Sequence, residues 1–105
     1  MRAALILAAL GSLTASAGHG EEIQISMAGQ AYAPAVTEAS VGDTIVFIND
    51  DDTSHDVFIP TVGFATDLGK QDAFAETRLT LGQPGAFDVE CVFHDHMHAR
   101  VVVTP

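Results

Sequence analysis

The stretch CVFHDHMH, residues 91–98, places a thiol, three imidazoles and a thioether within eight consecutive positions. Just before it, residues 87–91 alternate apolar and acidic side chains, so Cys91 continues the apolar face of a predicted β-strand. Cys91, His94 and Met97 are spaced three residues apart, and a tight loop after the strand can direct all three at one point. Thiolate, imidazole and thioether ligands suit copper in both of its oxidation states. The end of this strand therefore predicts a metal site.

A fourth candidate ligand lies upstream in the chain. His55 begins a predicted strand, residues 55–59, that follows the polar loop 49–54. A β-sandwich can bring the start of that strand beside the loop after Cys91. Two histidines, one cysteine and a more distant methionine are the ligand pattern of electron-transfer copper sites. The predicted ligands of one copper ion, cycling between Cu(II) and Cu(I), are His55, Cys91, His94 and Met97.

Each of these residues taken singly has a simpler explanation. A cysteine on an inward strand face is usually a small core residue, a methionine fills gaps, and histidines near a terminus are often exposed. Cys91 is the only cysteine, so it cannot form a disulfide within one chain. The joint pattern C-x-x-H-x-x-M with an upstream histidine favours a metal site. A cysteine nucleophile activated by His94 is a weaker alternative, because no oxyanion-hole motif accompanies it.

The rest of the chain predicts short strands separated by turn residues, with no convincing helix. Pro34 interrupts the second strand and makes it an edge or irregular segment, and residues 61–71 show no clear period and are predicted to be loop. About seven short strands argue for an all-β, antiparallel Greek-key β-sandwich. The predicted strands are residues 23–27, 32–36, 44–48, 55–59, 78–81, 87–91 and 101–103.

The first residues of the 105-residue chain indicate export. A positive start is followed by the apolar run 3–10 and by Ala15-Ser16-Ala17, which has small residues at both positions that a signal peptidase reads. The apolar run is too short to span a bilayer. We therefore predict a signal peptide at residues 1–17, one copper-binding domain at residues 18–105, and no membrane span after cleavage.

The charge balance restricts the partners. Fourteen acidic residues face four Lys and Arg, for a formal net charge of −10. This charge disfavours nucleic acid as a ligand. A basic protein partner is plausible, although acidity alone often serves only solubility.

At these motifs the chain resembles the cupredoxins, or blue copper proteins, especially members with short ligand loops that are like amicyanin, pseudoazurin and plastocyanin. The resembling segments are residues 41–50, 54–57, 84–91 and 91–97. The resemblance implies a two-sheet Greek-key fold, one type 1 copper ion and soluble electron transfer in the periplasm. It also implies a redox partner such as a c-type cytochrome or an exported dehydrogenase, and a monomer.

Two positions depart from the family pattern. Asp56 stands where Asn, Ser or Thr often follows the first histidine, and its carboxylate is expected to accept backbone hydrogen bonds from the cysteine loop. Asp95 stands where proline commonly follows the second histidine. In the family the edge of the second histidine reaches an apolar surface patch, for which Phe93 and either Val62 or Phe64 are the candidates.

A site filled by four protein ligands leaves no place for a substrate, so the prediction is that the protein is not an enzyme. Two alternatives stay open. A copper delivery or storage protein would use His96, Met97 and His98 as exposed ligands. An open copper site, in which a histidine replaces Met97 or water binds, would allow enzyme-like activity.

Overall fold

The computed structural model describes residues 20–105, which form two β-sheets packed face to face. Residues 1–19, and with them the predicted signal peptide, lie outside the described residues. No helix in the described part is long and apolar enough to cross a membrane. The strands are β1 (Glu22–Ala28), β2 (Ala31–Ala33), β3 (Val36–Ser40), β4 (Thr44–Asn49), β5 (His55–Ile59), β6 (Thr66–Gln71), β7 (Glu76–Thr80), β8 (Gly85–Cys91) and β9 (His94–Thr104).

The two sheets confirm the predicted all-β sandwich but are not purely antiparallel. One sheet has the order β2-β1-β4-β7 and the other β3-β9-β8-β5-β6. In each sheet one pair of strands runs parallel, β1 beside β4 and β3 beside β9, and the other pairs are antiparallel. These two parallel pairs depart from the predicted antiparallel arrangement, because the chain crosses between the sheets before β3 and again before β4.

Nine strands are present where about seven were predicted. The predicted strand at residues 32–36 is divided at Pro34, and its two halves, β2 and β3, pair in different sheets. The predicted loop at residues 61–71 contains β6 in its second half. β6 is an edge strand of mostly polar residues, and Gly69 within it has a positive φ. It therefore lacks the apolar alternation that identifies a half-buried strand.

The core lies between the sheets and consists of alternate residues from most strands. In β8, Phe87, Val89 and Cys91 point inward, and in β5 the buried residues Val57 and Ile59 occupy the same face as His55. Inward-facing alternation of this kind is what a sandwich with one solvated face per sheet requires. It also places His55 and Cys91 at the edge of the core.

The loops divide into two groups at opposite ends of the sandwich. The group that we call the site end comprises residues 29–30, 50–54, 72–75 and 92–93, where β5 starts and β8 stops. The far end holds residues 60–65 and 82–84, which are joined by a hydrogen bond from the Gln83 side chain to the Gly63 carbonyl.

Candidate metal centre

Three of the predicted ligands come together at the site end. One ligand atom from each of His55, Cys91 and His94 lies within 4.8 Å of the others. The Cys91 Sγ atom lies 3.7 Å from His94 Nδ1, and the imidazole ring centroids of His55 and His94 are 5.1 Å apart. A buried thiol between two tilted imidazoles is a donor set of borderline softness, as copper prefers.

The spacing of this motif is set by a hairpin with a bulge. Cys91 ends β8, His94 begins β9, and the two residues are register partners across the turn. The next partners are Glu90 and His98, so β9 carries three extra residues, 95–97, at this point. A bulge breaks the regular alternation of side chains. It allows His94 to lie next to Cys91 while Met97, three positions later, faces the core.

His55 is fully buried, and its two ring nitrogens have different surroundings. Nε2 lies 2.7 Å from Asp51 Oδ2, whereas Nδ1 has no hydrogen-bond partner among residues 20–105. A buried nitrogen without a hydrogen-bond partner lowers the stability of a folded protein. Its presence beside a thiol and a second imidazole fits the lone pair of a metal ligand, so the residues present fit a copper ion.

The Cys91 sulfur is also held by the backbone of β5. The Asp56 N–H donates to Cys91 Sγ over 3.3 Å. The bond fixes the position of the sulfur, withdraws electron density from it and links the strand of the first histidine to that of the cysteine.

The Asp56 carboxylate was expected to accept backbone hydrogen bonds from the cysteine loop, and its Oδ1 atom does not. Its Oδ1 atom has no partner in the described part of the chain and accepts no bond from the cysteine hairpin. Burial raises the pKa of Asp56, and the nearby carboxylate of Asp67 raises it further. The hydrogen bond from Asp56 to the site therefore comes from its backbone N–H and not from Oδ1.

Met97 and the two additional histidines lie on opposite faces of β9. The Met97 side chain is 1% exposed and packs in the core cluster that includes Cys91, whereas His96 and His98 are exposed. His98 Nε2 lies 3.3 Å from Asp88 Oδ1 on the outer face of the sheet. The expected outward orientation of both histidines is confirmed.

The apolar surface beside His94 differs from the expected one. Phe93 and Val92, in the hairpin turn, are both exposed next to the half-buried His94. Val62 and Phe64 belong to the far end, where Phe64 packs against Phe87 with ring centroids 5.1 Å apart. Their expected contribution to this surface was wrong, because β5 carries the chain away from the site before they occur.

Two residues that contact the site were not identified from the sequence. Asp51 accepts the hydrogen bond of His55, and its pKa is lowered chiefly by that bond, with the Gly29 N–H contributing further. The Tyr32 hydroxyl lies 2.6 Å from Asp56 O and 3.0 Å from Glu90 O, one residue from each of two ligands. For Asp51 the only sequence signal is its place four residues before His55, and for Tyr32 there is none.

Comparisons with known proteins agree with this geometry. The model of the cupredoxin-like domain family matches residues 1–103. A structure of a methionine-to-alanine variant of amicyanin with Cu(I) shares 25% identity over 78% of this chain and 81% of that chain, with a TM-score of 0.74. A structure of reduced amicyanin with a tryptophan-to-tyrosine substitution also shares 25% identity, over 85% and 88% of the two chains, with a TM-score of 0.74.

More distant structures share the fold alone. A purple cupredoxin from Nitrosopumilus maritimus is 21% identical over 78% of this chain and 99% of that chain, with a TM-score of 0.71. The copper-containing nitrite reductase of Thermus scotoductus SA-01 is 24% identical over 80% of this chain but only 22% of its own, with a TM-score of 0.72. No protein of curated function matches the sequence. The chain belongs to the cupredoxin-like domain family, and its His55, Cys91 and His94 group fits a single copper ion.

Proposed function

We propose that this protein is a small electron-transfer protein that carries single electrons on one type 1 copper ion held by His55, Cys91, His94 and Met97. The observation that carries the proposal is the convergence of a buried thiol and two imidazoles within 4.8 Å. The Nδ1 atom of His55, which has no hydrogen-bond partner among residues 20–105, supports the same proposal. Burying such a nitrogen costs free energy unless it binds a metal ion.

The ligand roles follow from the chemistry and the placement of each side chain. Copper, when bound, supplies a one-electron couple between Cu(II) and Cu(I). Cys91 offers a thiolate, His55 and His94 offer neutral imidazoles, and Met97 offers a weak thioether from the buried face of β9. The Asp56 N–H and the Asp51 carboxylate hold the sulfur and one imidazole in place. Ligands fixed in this way need little rearrangement when the charge of the site changes.

The proposed route for electrons runs through His94. Its ring is half-buried at the start of β9, whereas His55 and Cys91 are buried. The exposed side chains of Val92 and Phe93 stand next to it in the chain and give a partner an apolar surface to contact. A redox protein docked here would reach the ligand set through one imidazole edge.

The placement of a groove away from the proposed ligands supports a carrier rather than an enzyme. A groove of about 460 Å³ extends to the far end and is lined by apolar and small polar residues, including Ile59, Phe64, Leu81 and Phe87. None of its lining residues titrates near neutral pH, and none is a predicted ligand. We therefore propose that no substrate reacts at this protein.

The setting of the protein is part of the same proposal. A signal peptide at residues 1–17 would direct a domain of residues 18–105 to the periplasm. The acidic surface suits a basic redox partner such as a c-type cytochrome, or else an exported dehydrogenase, and the protein would act as a monomer.

The deciding experiment is an optical and electron paramagnetic resonance spectrum of the copper-loaded protein. We expect an intense visible band from sulfur-to-copper charge transfer. Cys91→Ser should abolish that band while the copper-free fold persists, because Cys91 is the only thiolate available. His96→Ala serves as the matched control in the same hairpin and should keep the band.

Other outcomes would point elsewhere. A band that survives Cys91→Ser contradicts the whole assignment. Weakly coloured copper that a chelator removes readily would favour delivery or storage through the exposed histidines. A spectrum that changes when small anions are added would favour an open site.

A further inference from the structure

Asp51 and His55 form a hydrogen-bonded pair at the site end that the ligand set alone does not explain. The carboxylate oxygen Oδ2 of Asp51 lies 2.7 Å from His55 Nε2, and only a quarter of the Asp51 side chain is exposed. An ionised carboxylate only accepts hydrogen bonds, so Nε2 must carry the proton. In the neutral ring the lone pair then resides on Nδ1, which is the nitrogen that has no hydrogen-bond partner among residues 20–105.

The carboxylate is itself held in position by its surroundings. The same Oδ2 atom accepts the Gly29 N–H over 3.0 Å, and the Asp51 N–H donates to Asn49 Oδ1 over 2.9 Å. Asn49 is fully buried, and its side-chain amide donates to Thr53 O over 2.8 Å and Asp72 O over 3.1 Å. The loop 50–54 therefore presents Asp51 to His55 from an anchored backbone.

We infer that Asp51 is a positioning residue for the copper site: it fixes the tautomer of His55 so that Nδ1 binds the metal, and its charge favours Cu(II) over Cu(I). The inference rests on the proposed function. A metal-bound histidine whose other nitrogen donates to a carboxylate is oriented and made more basic by it, and losing such a partner typically costs about 10- to 100-fold in metal affinity. The more highly charged ion gains more from the added negative charge.

Three variants separate the hydrogen bond that Asp51 accepts from the charge that it carries. Asp51→Asn retains an oxygen that can accept the Nε2 proton but removes the charge, whereas Asp51→Ala removes both. Asp52→Asn is the matched control, because it deletes the same charge from an exposed side chain at the next position. A difference between the Asp51 variants and this control measures the effect of a carboxylate placed directly against His55.

The first measurement is nitrogen-15 NMR of the histidine rings in the full-length copper-free protein. We expect His55 in the wild type and in Asp51→Asn to carry its proton on Nε2, and Asp51→Ala to show a mixture of tautomers. A wild-type His55 protonated on Nδ1 would overturn the inference without any variant having to fold.

The second measurement is the reduction potential of the copper-loaded proteins. Asp51→Asn should weaken Cu(II) binding relative to Cu(I) about tenfold, which corresponds to a potential higher by about 59 mV for a one-electron couple. Asp52→Asn should change that ratio less than twofold. Equal shifts for the two variants would show that only net charge matters, and would overturn the role of the contact.

These measurements distinguish failure of this inference from failure of the proposed function. If wild-type protein shows no intense visible band with copper, the proposed function is wrong and the inference about copper falls with it. If the band is present but Asp51→Asn behaves like Asp52→Asn, the proposed function stands and only the role of Asp51 is wrong.

Discussion

Met97 and His96 are neighbours in the chain, yet they face opposite sides of β9. The Met97 side chain belongs to the core, and that of His96 is exposed to solvent. The three-residue bulge at the start of β9 produces this arrangement, because it shifts the alternation between His94 and the rest of the strand. The proposal of Met97 as the fourth ligand therefore rests on the hairpin geometry rather than on ligand strength.

We predict that Met97→Leu raises the reduction potential and keeps an intense visible band. Loss of a weak donor should cost Cu(II) more than Cu(I), and a tenfold relative loss corresponds to about 59 mV. A neutral imidazole at this position would instead bind Cu(II) strongly and favour a tetragonal, less blue site. Voltammetry and visible spectra of the variant would check this.

His96→Ala is the matched control, since it removes an imidazole from the adjacent position on the exposed face. It should leave both the spectrum and the potential nearly unchanged. If it moves the main band strongly while Met97→Leu does nothing, Met97 is not the fourth ligand and the open-site alternative gains support.

At the scale of elements, the short strand β2 connects its own sheet to the metal centre in the other. Its residue Tyr32 is buried, and its hydroxyl shares one proton between Asp56 O on β5 and Glu90 O on β8. These two strands have only one register pair, Phe58 with Glu90. Burial raises the pKa of Tyr32, and the nearby Cys91 raises it further. The hydroxyl therefore keeps its proton and remains a hydrogen-bond donor.

We predict that Tyr32→Phe lowers the free energy of unfolding of the copper-free protein by about 1–3 kcal/mol. The ring packing is preserved, but the buried bond to Asp56 O and the partly buried bond to Glu90 O lose their donor. Urea unfolding would measure the loss, and the slope of the transition should not change because the surface exposed on unfolding is the same.

Ser40→Ala provides the control for Tyr32→Phe. It removes an exposed hydroxyl that pairs with Thr104 Oγ1 over 3.3 Å at the far end. Such surface changes usually cost less than about 0.5 kcal/mol. An equal cost for the two variants would mean that the Tyr32 hydroxyl does not hold β5 and β8 together.

At the scale of the whole molecule, the surface is dominated by carboxylates. In the described part, Lys70, Arg78 and Arg100 are the three Lys and Arg residues, and each lies within 4.0 Å of at least one carboxylate. The site end adds the exposed acids Asp50, Asp52, Asp72 and Asp95 around the apolar hairpin turn. A cationic partner would therefore be steered toward the molecule and toward this end in particular.

We predict that electron exchange with a cationic c-type cytochrome slows several-fold as ionic strength rises from about 0.01 to 0.15 M. Over that interval the Debye length falls from about 30 Å to about 8 Å, which screens the steering charges. Stopped-flow measurement of the second-order rate constant across salt concentrations would test the prediction.

A pair of variants locates the docking end. Asp95→Asn removes an exposed charge next to His94, and Glu38→Gln removes one on β3 toward the far end. The first should lower the low-salt rate constant more than the second. A rate constant that does not fall with salt, or a larger effect of Glu38→Gln, would place the docking surface elsewhere.

The candidate ligand types, the strand character of the core segments and the family could all be predicted from the sequence. Cys91, His94 and Met97 lie within seven residues, and apolar alternation marked the strands that build the core, so these features are local in the chain. Alternation records which face of a strand is buried, but it does not record which strand lies beside it. The polar edge strand β6 and the parallel neighbours were therefore beyond sequence reasoning.

The contacts that support the candidate ligands could not be predicted from the sequence, because they form between segments that meet only in the folded chain. The bond from Asp56 N–H to Cys91 Sγ, and the reach of Tyr32 to β5 and β8, join atoms that are more than twenty residues apart. Asp51 is close to His55 in sequence, but a run of three acids gives no sign of which carboxylate turns inward. Asn49 and Gly29 determine which carboxylate turns inward. The buried side-chain amide of Asn49 and the backbone N–H of Gly29 hold Asp51 in position through hydrogen bonds.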